Sequence, residues 1–501
     1  GRSALRTGEW SVVGGHTQLR ANEITLAQAF ADCGYRTGIF GKWHLGDSYP
    51  FRPQDRGFTE ALVHGGGGIG TTPDYWGNDY FDDTFYRNGR PEKLSGHGTE
   101  ALFSAAIAFI EANRDRPFFC YLPTDAPHDP YNVEEKYSAP YRGLVPAQTA
   151  NFFGMIAQID EHVGRLLARL ESLGIADNTL LIFLTDNGSS GGTGVYDGGM
   201  RGKKGTPYEG GHRVPCWVRW PAGGIEGGRD VPQLAAQLDL FPTLIELCGL
   251  KLPRPVSFDG LSLVPLLRIN TESWPDRTLF IDTHQSETPL KWNNTCALRG
   301  RWRLVNGNEL YDLTGDPKQQ RSVAQQHPQI VAEIRAAYDA WWADIQPSFA
   351  DQPHFIAGTP HENPLWLNTW DLHGQSVYLQ NQVNLAERAD GWWSVEIAAA
   401  GDYEIILRRW PREVDKPINE GLVASRIRRG PGAGPPITGA TLARVSFAGR
   451  DFEQAFEPDA KEVVFRVTLP AGKTRLQAWF INDQVLGGAT WGVYYVGIKK
   501  L

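Results

Sequence analysis

Residues 99–122 read TEALFSAAIAFIEANRDRPFFCYL. Apolar positions recur at helical spacing through residue 113, a polar break follows, and Pro117-Phe118-Phe119-Cys120-Tyr121-Leu122 is then an unbroken apolar run. A helix followed by a short run that is apolar at every residue predicts a strand buried on both faces. The same alternation extends outward. Residues 24–33 (ITLAQAFADC) form an amphipathic helix ended by Gly34, with residues 35–40 extended beyond it. Residues 152–173 form a long helix closed by Gly174, and residues 179–185 (TLLIFLT) a second buried strand. Helices alternating with buried strands predict an α/β fold whose sheet is covered on both sides.

Four regions follow from changes in texture. Residues 1–258 carry the α/β alternation, interrupted at 64–88 by a stretch rich in Gly, Asp and Tyr that reads as a long functional loop or rim. Residues 259–345 are mixed, with a short strand at 297–305 and a last helix from about Ile330, which predicts a smaller α+β subdomain. Residues 346–364, containing Pro and Asn, read as a linker. Residues 365–501 hold short alternating segments at 393–397, 402–408, 443–447, 462–468 and 474–480, separated by Gly, Pro and Asn, and predict an appended antiparallel β-sandwich.

With 501 residues, 41% of them hydrophobic, the chain has ample material for a large core, so global disorder is excluded. No window approaches the ~18 uninterrupted apolar residues of a membrane span. A formal charge of −8 argues against a nucleic-acid partner while leaving room for a local cationic pocket. Cys33, Cys120, Cys216, Cys248 and Cys296 are odd in number and lack a CxxC pair, so buried free thiols are expected rather than a zinc or disulfide framework.

Four runs carry chemistry. In Gly34-Tyr35-Arg36-Thr37-Gly38-Ile39-Phe40-Gly41-Lys42-Trp43-His44, extended geometry would put Lys42 and His44 on one face. A fixed cation beside an imidazole suits an anionic centre that must be neutralised and relieved of a proton. His128, in Ala126-Pro127-His128-Asp129-Pro130, follows the strand ending at Leu122, at the end of the sheet where open α/β folds place ligands. Asp186 and Asn187, directly after the strand at 179–185, are hard oxygen donors suited to Ca²⁺ or Mg²⁺, although two are too few to complete a shell and an ordinary Asn-Gly turn is the competing reading. Finally Gly199-Met200-Arg201-Gly202-Lys203-Lys204-Gly205 and the following TPYEGGHRVP (206–215) combine glycines with clustered basic side chains, an anion cradle without P-loop spacing.

Together GYRTGIFGKWH, APHDP, TDNG and GKKGTPYEGGHRVP, with LDLFPTLIELCGL, DGLSLVPLL and ELYDLTGDP in support, resemble the type I sulfatases of the alkaline-phosphatase superfamily over roughly residues 1–345. The resemblance implies a large mixed sheet between helices and a formylglycine nucleophile that attacks sulfur and forms a covalent sulfate intermediate. It implies that Asp186 and Asn187 complete a Ca²⁺ (or Mg²⁺) site and that Lys42 and His44 hold and deprotonate the formylglycine diol. His128 and Lys204 would contact sulfate and the leaving oxygen, Lys204 being preferred to Lys203 because it directly precedes Gly-Thr. Residues 1–8 (GRSALRTG) look like the tail of the family's Cys-x-Pro-x-Arg signature, with Arg2 as its arginine. The converted Cys or Ser, and a first strand with two metal-ligating aspartates, are expected ahead of Gly1, so the chain as printed is expected to have little or no activity.

Arg201 and His212 are further pocket candidates, Arg213 is as well explained by pairing with an acidic neighbour, and Asp74, Tyr75, Trp76 and Asn78 are substrate-pocket candidates from the character of their loop. The expected partners are a sulfated carbohydrate or another sulfate ester and a formylglycine-generating or sulfatase-maturing enzyme. The resemblance alone favours a periplasmic or secreted location. Two other readings are a phosphodiester or phosphonate-ester hydrolase of the same superfamily and a carbohydrate-binding pseudoenzyme that works through its aromatic sandwich.

Overall fold

The computed structural model describes residues 1–268, 274–422, 439–482 and 489–501. The helix Leu26–Asp32 starts at Thr25, whose side chain accepts the Gln28 amide while the Gln28 side chain returns the bond to the Thr25 amide. This capping box satisfies two donors that the first turn leaves open. Gly34, at φ 84°, ends the turn and launches β1 (Arg36–Gly41). β2 (Glu60–Val63), β3 (Thr84–Arg87), β4 (Arg90–Lys93) and β5 (Phe118–Tyr121) complete a sheet ordered β4-β3-β2-β1-β5. β1 is parallel to β2 and β5, whereas β3 is antiparallel to β2 and β4, so the sheet is mixed.

Both faces of this sheet are covered at β1, whereas β5, at the sheet edge, is half-buried with Tyr121 exposed and not buried on both faces as its apolar run predicts. Ile39 and Phe40, adjacent on β1, are both fully buried, and the strand's alternation sends them into different cores. Ile39 packs with Ala27, Phe58 and Ala61. Phe40 packs with Phe109 and Ile110 of helix Gly98–Asn113 and Met155 of helix Ala147–Ser172. That second helix begins at Ala147, after Pro146 as its N-cap, five residues before the apolar pattern indicates. The stretch 64–88 is not wholly loop, because β3 lies inside it. β6 (Leu181–Leu184) and β7 (Cys216–Arg219) form a separate antiparallel pair.

The expected strand at 297–305 is a hairpin. β8 (Thr278–Asp282), β9 (Thr295–Arg299), β10 (Trp302–Val305) and β11 (Glu309–Asp312) form an antiparallel sheet, with β9 and β10 turning at Gly300, φ 49°. Ile334 of helix Pro328–Ile345 packs against Ala297, Leu304 and Leu310 of this sheet.

The carboxyl-terminal part contains the five expected strands, now β15 to β17, β19 and β20 of a larger set. β12 (Phe355–Ala357), β13 (Leu365–Asn368), β14 (His373–Gln375), β15 (Asp390–Ile397), β16 (Gly401–Arg408), β17 (Leu442–Phe447), β18 (Arg450–Ala455), β19 (Val463–Leu469), β20 (Gly472–Asn482), β21 (Ala489–Gly492) and β22 (Tyr495–Lys500) make two sheets. One runs β12-β15-β20-β17-β18, with β14 on β15 and β21 on β20; the other runs β13-β22-β16-β19. Both bury residues in one core that includes Trp393, Tyr403, Phe447, Phe465, Phe480 and Val496. β12 corrects two expectations: it places part of the 346–364 segment inside a sheet, and it pairs parallel to β15 in an otherwise antiparallel layer. The fully buried Arg409 donates to the carbonyls of Val383, Asn384, Ile418 and Glu420.

This module is docked against the first half of the chain. The Tyr495 hydroxyl donates to Thr72 O at 2.9 Å, and Gln380 Nε2 donates to Thr71 O and Asp74 O at 3.1 and 3.0 Å. The Trp76 and Trp410 rings meet edge to face at 5.3 Å. All five cysteines are unpaired. Among the described residues, no helix is long and apolar enough to cross a membrane.

Candidate functional site

β1 and β5 end side by side. At Gly41, φ 134°, a side chain would overlap the Pro123 carbonyl, and that same carbonyl accepts the Lys42 amide at 2.7 Å. Glycine thus lets the chain leave β1 directly against the loop that follows β5, bringing residues 42–44 and 124–128 together. The extended geometry expected for Lys42 and His44 is absent, since β1 stops at Gly41 and His44 sits in the left-handed region at φ 61°. A turn, not a strand face, juxtaposes them.

The Gly-rich loop closes over both histidines. A Cβ on Gly67 would lie 2.5 Å from His44 Nε2 and 2.8 Å from Trp370, and one on Gly68 would lie 3.6 Å from His128 Nδ1 and 3.8 Å from Asp125 Oδ1. Beneath them is a buried pair: His64 Nε2 lies 3.4 Å from Asp125 Oδ1, and the Tyr80 hydroxyl lies 2.6 Å from Asp125 Oδ2. Burial raises the Asp125 pKa, but His64, His128 and Lys42 outweigh it and hold this carboxyl well below the usual range. Burial likewise opposes the His64 imidazolium, yet Asp125 raises it to about 9.

The catalytic candidates gather above this pair. Burial lowers the Lys42 pKa, with Asp125 and Asp186 pulling it up and Lys204 pushing it down. Burial, then Lys42, depress His44 to about 3, with Lys204 and His64 adding to the effect. His44 is therefore a neutral imidazole at ordinary pH. Its Nε2 is 3.0 Å from Val12 O, and a carbonyl can only accept, so Nε2 carries the proton and Nδ1 the lone pair. His128 Nδ1 lies 2.9 Å from Asp129 O. The Lys204 amide donates to Ser189 O at 3.0 Å, and Lys204 rather than the exposed Lys203 shares the field of Lys42 and His44.

Asp186 is exposed and accepts the Asn187 amide at 2.9 Å on its own Oδ1. These two side chains have the right donor chemistry for a hard cation but supply at most two of its six to eight oxygens. Among the described residues, Asp186 belongs to no group of three or more His, Cys, Asp or Glu ligands. The residues present therefore do not by themselves fit a complete Ca²⁺ shell.

The other candidates lie elsewhere or face inward. Arg2 Nη1 donates to both carboxylate oxygens of Glu23, at 2.5 and 2.7 Å. Asp74 is buried and holds its own loop, accepting from the Gly70 and Tyr75 amides and from Asn78 Nδ2. Asn78 also donates to Thr84 O, and Tyr75 lies 6.5 Å from the Tyr86 ring. Arg201 stacks on Tyr208 at 3.8 Å and donates to Tyr311 Oη and Gln319 O. His212 lies 4.0 Å from the buried Glu209, which also pairs with Arg213 at 3.5 Å and Arg303 at 2.6 Å. His64, Asp125 and Trp370 were not singled out from the sequence. Asp125 directly precedes the Ala126-Pro127-His128 motif and His64 opens the Gly-rich loop, while Trp370 comes from the third module, 5.4 Å from the His44 ring.

The family model described as Sulfatase matches residues 1–250, and the one described as N-sulphoglucosamine sulphohydrolase, C-terminal, matches residues 200–340. The chain belongs to the sulfatase family. This sulfatase-family chain is 25% identical to the uncharacterized sulfatase YdeN of Escherichia coli over 70% of its length and 72% of that protein's. It is 32% identical to human N-acetylgalactosamine-6-sulfatase over 51% of this chain and 50% of that protein, and 32% identical to human arylsulfatase A over 60% and 62%. The chain thus spans about half the length of N-acetylgalactosamine-6-sulfatase. Solved structures with the same fold include Ps i-CgsB in complex with k-i-k-neocarrahexaose (24% identity, 68% of this chain and 79% of that one, TM-score 0.60) and the putative sulfatase yidJ from Bacteroides fragilis (21%, 70% and 85%, 0.55).

Proposed function

We propose that the site hydrolyses the sulfate ester of a sulfated carbohydrate to an alcohol and inorganic sulfate. The observation that carries this reading is the convergence of Lys42, His44, His128 and Lys204 above the His64–Asp125 pair. Two ammonium groups and an imidazole around one point would bind a small oxyanion and stabilise charge that grows on it. His44, neutral with Nδ1 as acceptor, would take a proton from the attacking hydroxyl. His128, half-exposed at the mouth, would donate one to the leaving oxygen. Lys42 would orient the attacking hydroxyl, and Lys204 would hold a sulfate oxygen.

In this reading a formylglycine carried on a Cys or Ser ahead of Gly1, installed by a formylglycine-generating enzyme, supplies the attacking hydroxyl. Asp186 and Asn187 would give a divalent cation, Ca²⁺ or Mg²⁺, part of its oxygen shell, with the remaining ligands from outside the described residues. A carbohydrate is favoured because relatives are named for N-acetylgalactosamine 6-sulfate chemistry and because one fold neighbour was solved with an oligosaccharide.

The test is turnover by the full-length, maturation-competent protein on matched aryl sulfate and aryl phosphate, followed by sulfated disaccharides. Sulfate release with a strong preference over phosphate is expected. Preference for phosphate would move the site to the phosphodiester or phosphonate-ester class, and folded protein that binds glycan without turnover would make it a pseudoenzyme.

A further inference from the structure

A second set of ligand-type side chains gathers where three parts of the chain meet. His16 lies on the segment before helix Leu26–Asp32, Glu287 follows β8, and His373 opens β14. One ligand atom from each lies within 4.8 Å of the others, the one such group of three among the described residues. His373 Nδ1 is 2.7 Å from Glu287 Oε1, and His16 Nε2 is 3.4 Å from the same oxygen. The two imidazoles are 1% and 2% exposed, whereas the carboxylate is 48% exposed.

Two features distinguish this cluster from an ordinary ion pair. Neither ring nitrogen of His16 makes a well-aligned hydrogen bond, the 3.4 Å approach of Nε2 to Glu287 Oε1 apart, although the residue is almost completely buried. A buried donor and acceptor left without partners costs on the order of 1–3 kcal/mol each, so native structures rarely keep them without a ligand or water. The rings are also held in place. Trp10 stacks on His16 and Trp392 stacks on His373, each at 4.0 Å, with the two imidazoles perpendicular at 4.9 Å. Gly15 lets the backbone carry His16 this close, because a Cβ there would overlap the His373 ring.

We propose that His16, Glu287 and His373 are the protein ligands of a divalent transition-metal site of the zinc type. Two imidazole nitrogens and one carboxylate oxygen are borderline donors that suit Zn²⁺ rather than Ca²⁺ or Mg²⁺. Ligand bonds of about 2.0–2.2 Å in a tetrahedron put donor atoms roughly 3.3 Å apart. The His16–Glu287 separation already has this value, and the His373–Glu287 contact opens by about half an ångström when a metal replaces the shared proton. The exposed carboxylate leaves the fourth position to water. Arg475, stacked over Trp392 at 4.0 Å, is the charged neighbour behind His373. The ion would tie the amino-terminal segment, the α+β subdomain and the third module together.

The test uses the full chain stripped with a chelator and titrated with Zn²⁺ by calorimetry, with Co²⁺ absorption reporting geometry. Asp186→Asn is included so that binding at the other candidate donors is separable. One equivalent of Zn²⁺ is expected, with a rise in Tm and the intense visible bands of four-coordinate Co²⁺, in the wild type and in Asp186→Asn alike. Glu287→Gln, a near-isosteric change at a half-exposed side chain, should weaken binding at least tenfold, and His373→Gln should abolish it. No bound zinc, or zinc binding that Glu287→Gln leaves unchanged, would overturn the assignment and leave a hydrogen-bonded triad.

Discussion

His64 Nε2 faces Asp125 Oδ1 at 3.4 Å, and both side chains are closed off from solvent. The pair lies under the loops that carry His44 and His128, so its charge state governs both stability and the shape of the site. The His64 pKa is raised to about 9, above its unfolded value near 6.5. Its contribution is therefore complete below about pH 6.5 and lost as pH rises through 9. Asp125 is shifted down, so its contribution is present above its unfolded value near 3.8 and lost on acidification. Thermal melts should show Tm falling between pH 6.5 and 9, and His64→Gln should flatten that limb while lowering Tm at pH 6. An unchanged alkaline slope in the variant would contradict the pairing.

Asp371 should add a second alkaline slope at lower pH. Burial, reinforced by Asp47, raises its carboxyl to about 8 while Thr17 and Gln18 donate to Oδ1. An acid with a raised folded pKa stabilises the fold most below its unfolded value and loses that contribution as pH climbs from about 4 to 8. Asp371→Asn, which cannot ionise, should remove this part of the pH dependence and match or exceed the wild-type Tm at pH 8.

In the active enzyme, Lys42→Ala and Lys204→Ala should each lower kcat on an aryl sulfate by roughly 10²–10⁴, the range for losing a positioned charge or proton-transfer group. Lys203→Ala should change it less than threefold. Steady-state kinetics on the three variants checks the choice between the neighbouring lysines.

Gly67→Ala tests the closeness of the Gly-rich loop to His44. The added methyl would stand 2.5 Å from the imidazole and 2.8 Å from Trp370, so one of them must move. Turnover should fall by at least tenfold with little change in Tm, whereas Gly70→Ala, with open space around its Cβ, should act through its φ of 80° on stability.

Arg409→Ala should destabilise the third module by about 3–5 kcal/mol, combining a lost buried side chain with carbonyls left without a donor. Denaturant melts followed by tryptophan fluorescence would measure it.

The sequence patterns reached the elements with strong local signals. The capped helix after Thr25, the positions of β5 and β6 and the alternating strands of the third module were legible as runs and periods in the chain, but the burial expected on both faces of β5 and β6 was not, since β5 is a half-buried edge strand with Tyr121 exposed and β6 sits in a separate two-stranded pair. The four motifs were likewise legible as runs. What joins them was not: His64 meets Asp125 across the sheet, and Trp370 reaches His44 from a different module. Such contacts depend on register and docking, which leave no period in either partner. The sequence predicts a strand alternation between Lys42 and His44, and only the Pro123 carbonyl pressed against Gly41 reveals the turn. β12 escaped notice because three residues are too few to show alternation, and its parallel partner lies more than thirty residues away.

That short strand changes how the chain can be divided. β12 hydrogen-bonds along β15, and the Ile356 amide just inside it donates to Tyr49 O in the catalytic half. The stretch between residues 346 and 364 is therefore a seam stitched to both sides, not a tether with slack. A cut placed there would strip an edge from one piece and a backbone acceptor's partner from the other, so the two halves are better handled, in expression or in grafting, as one unit.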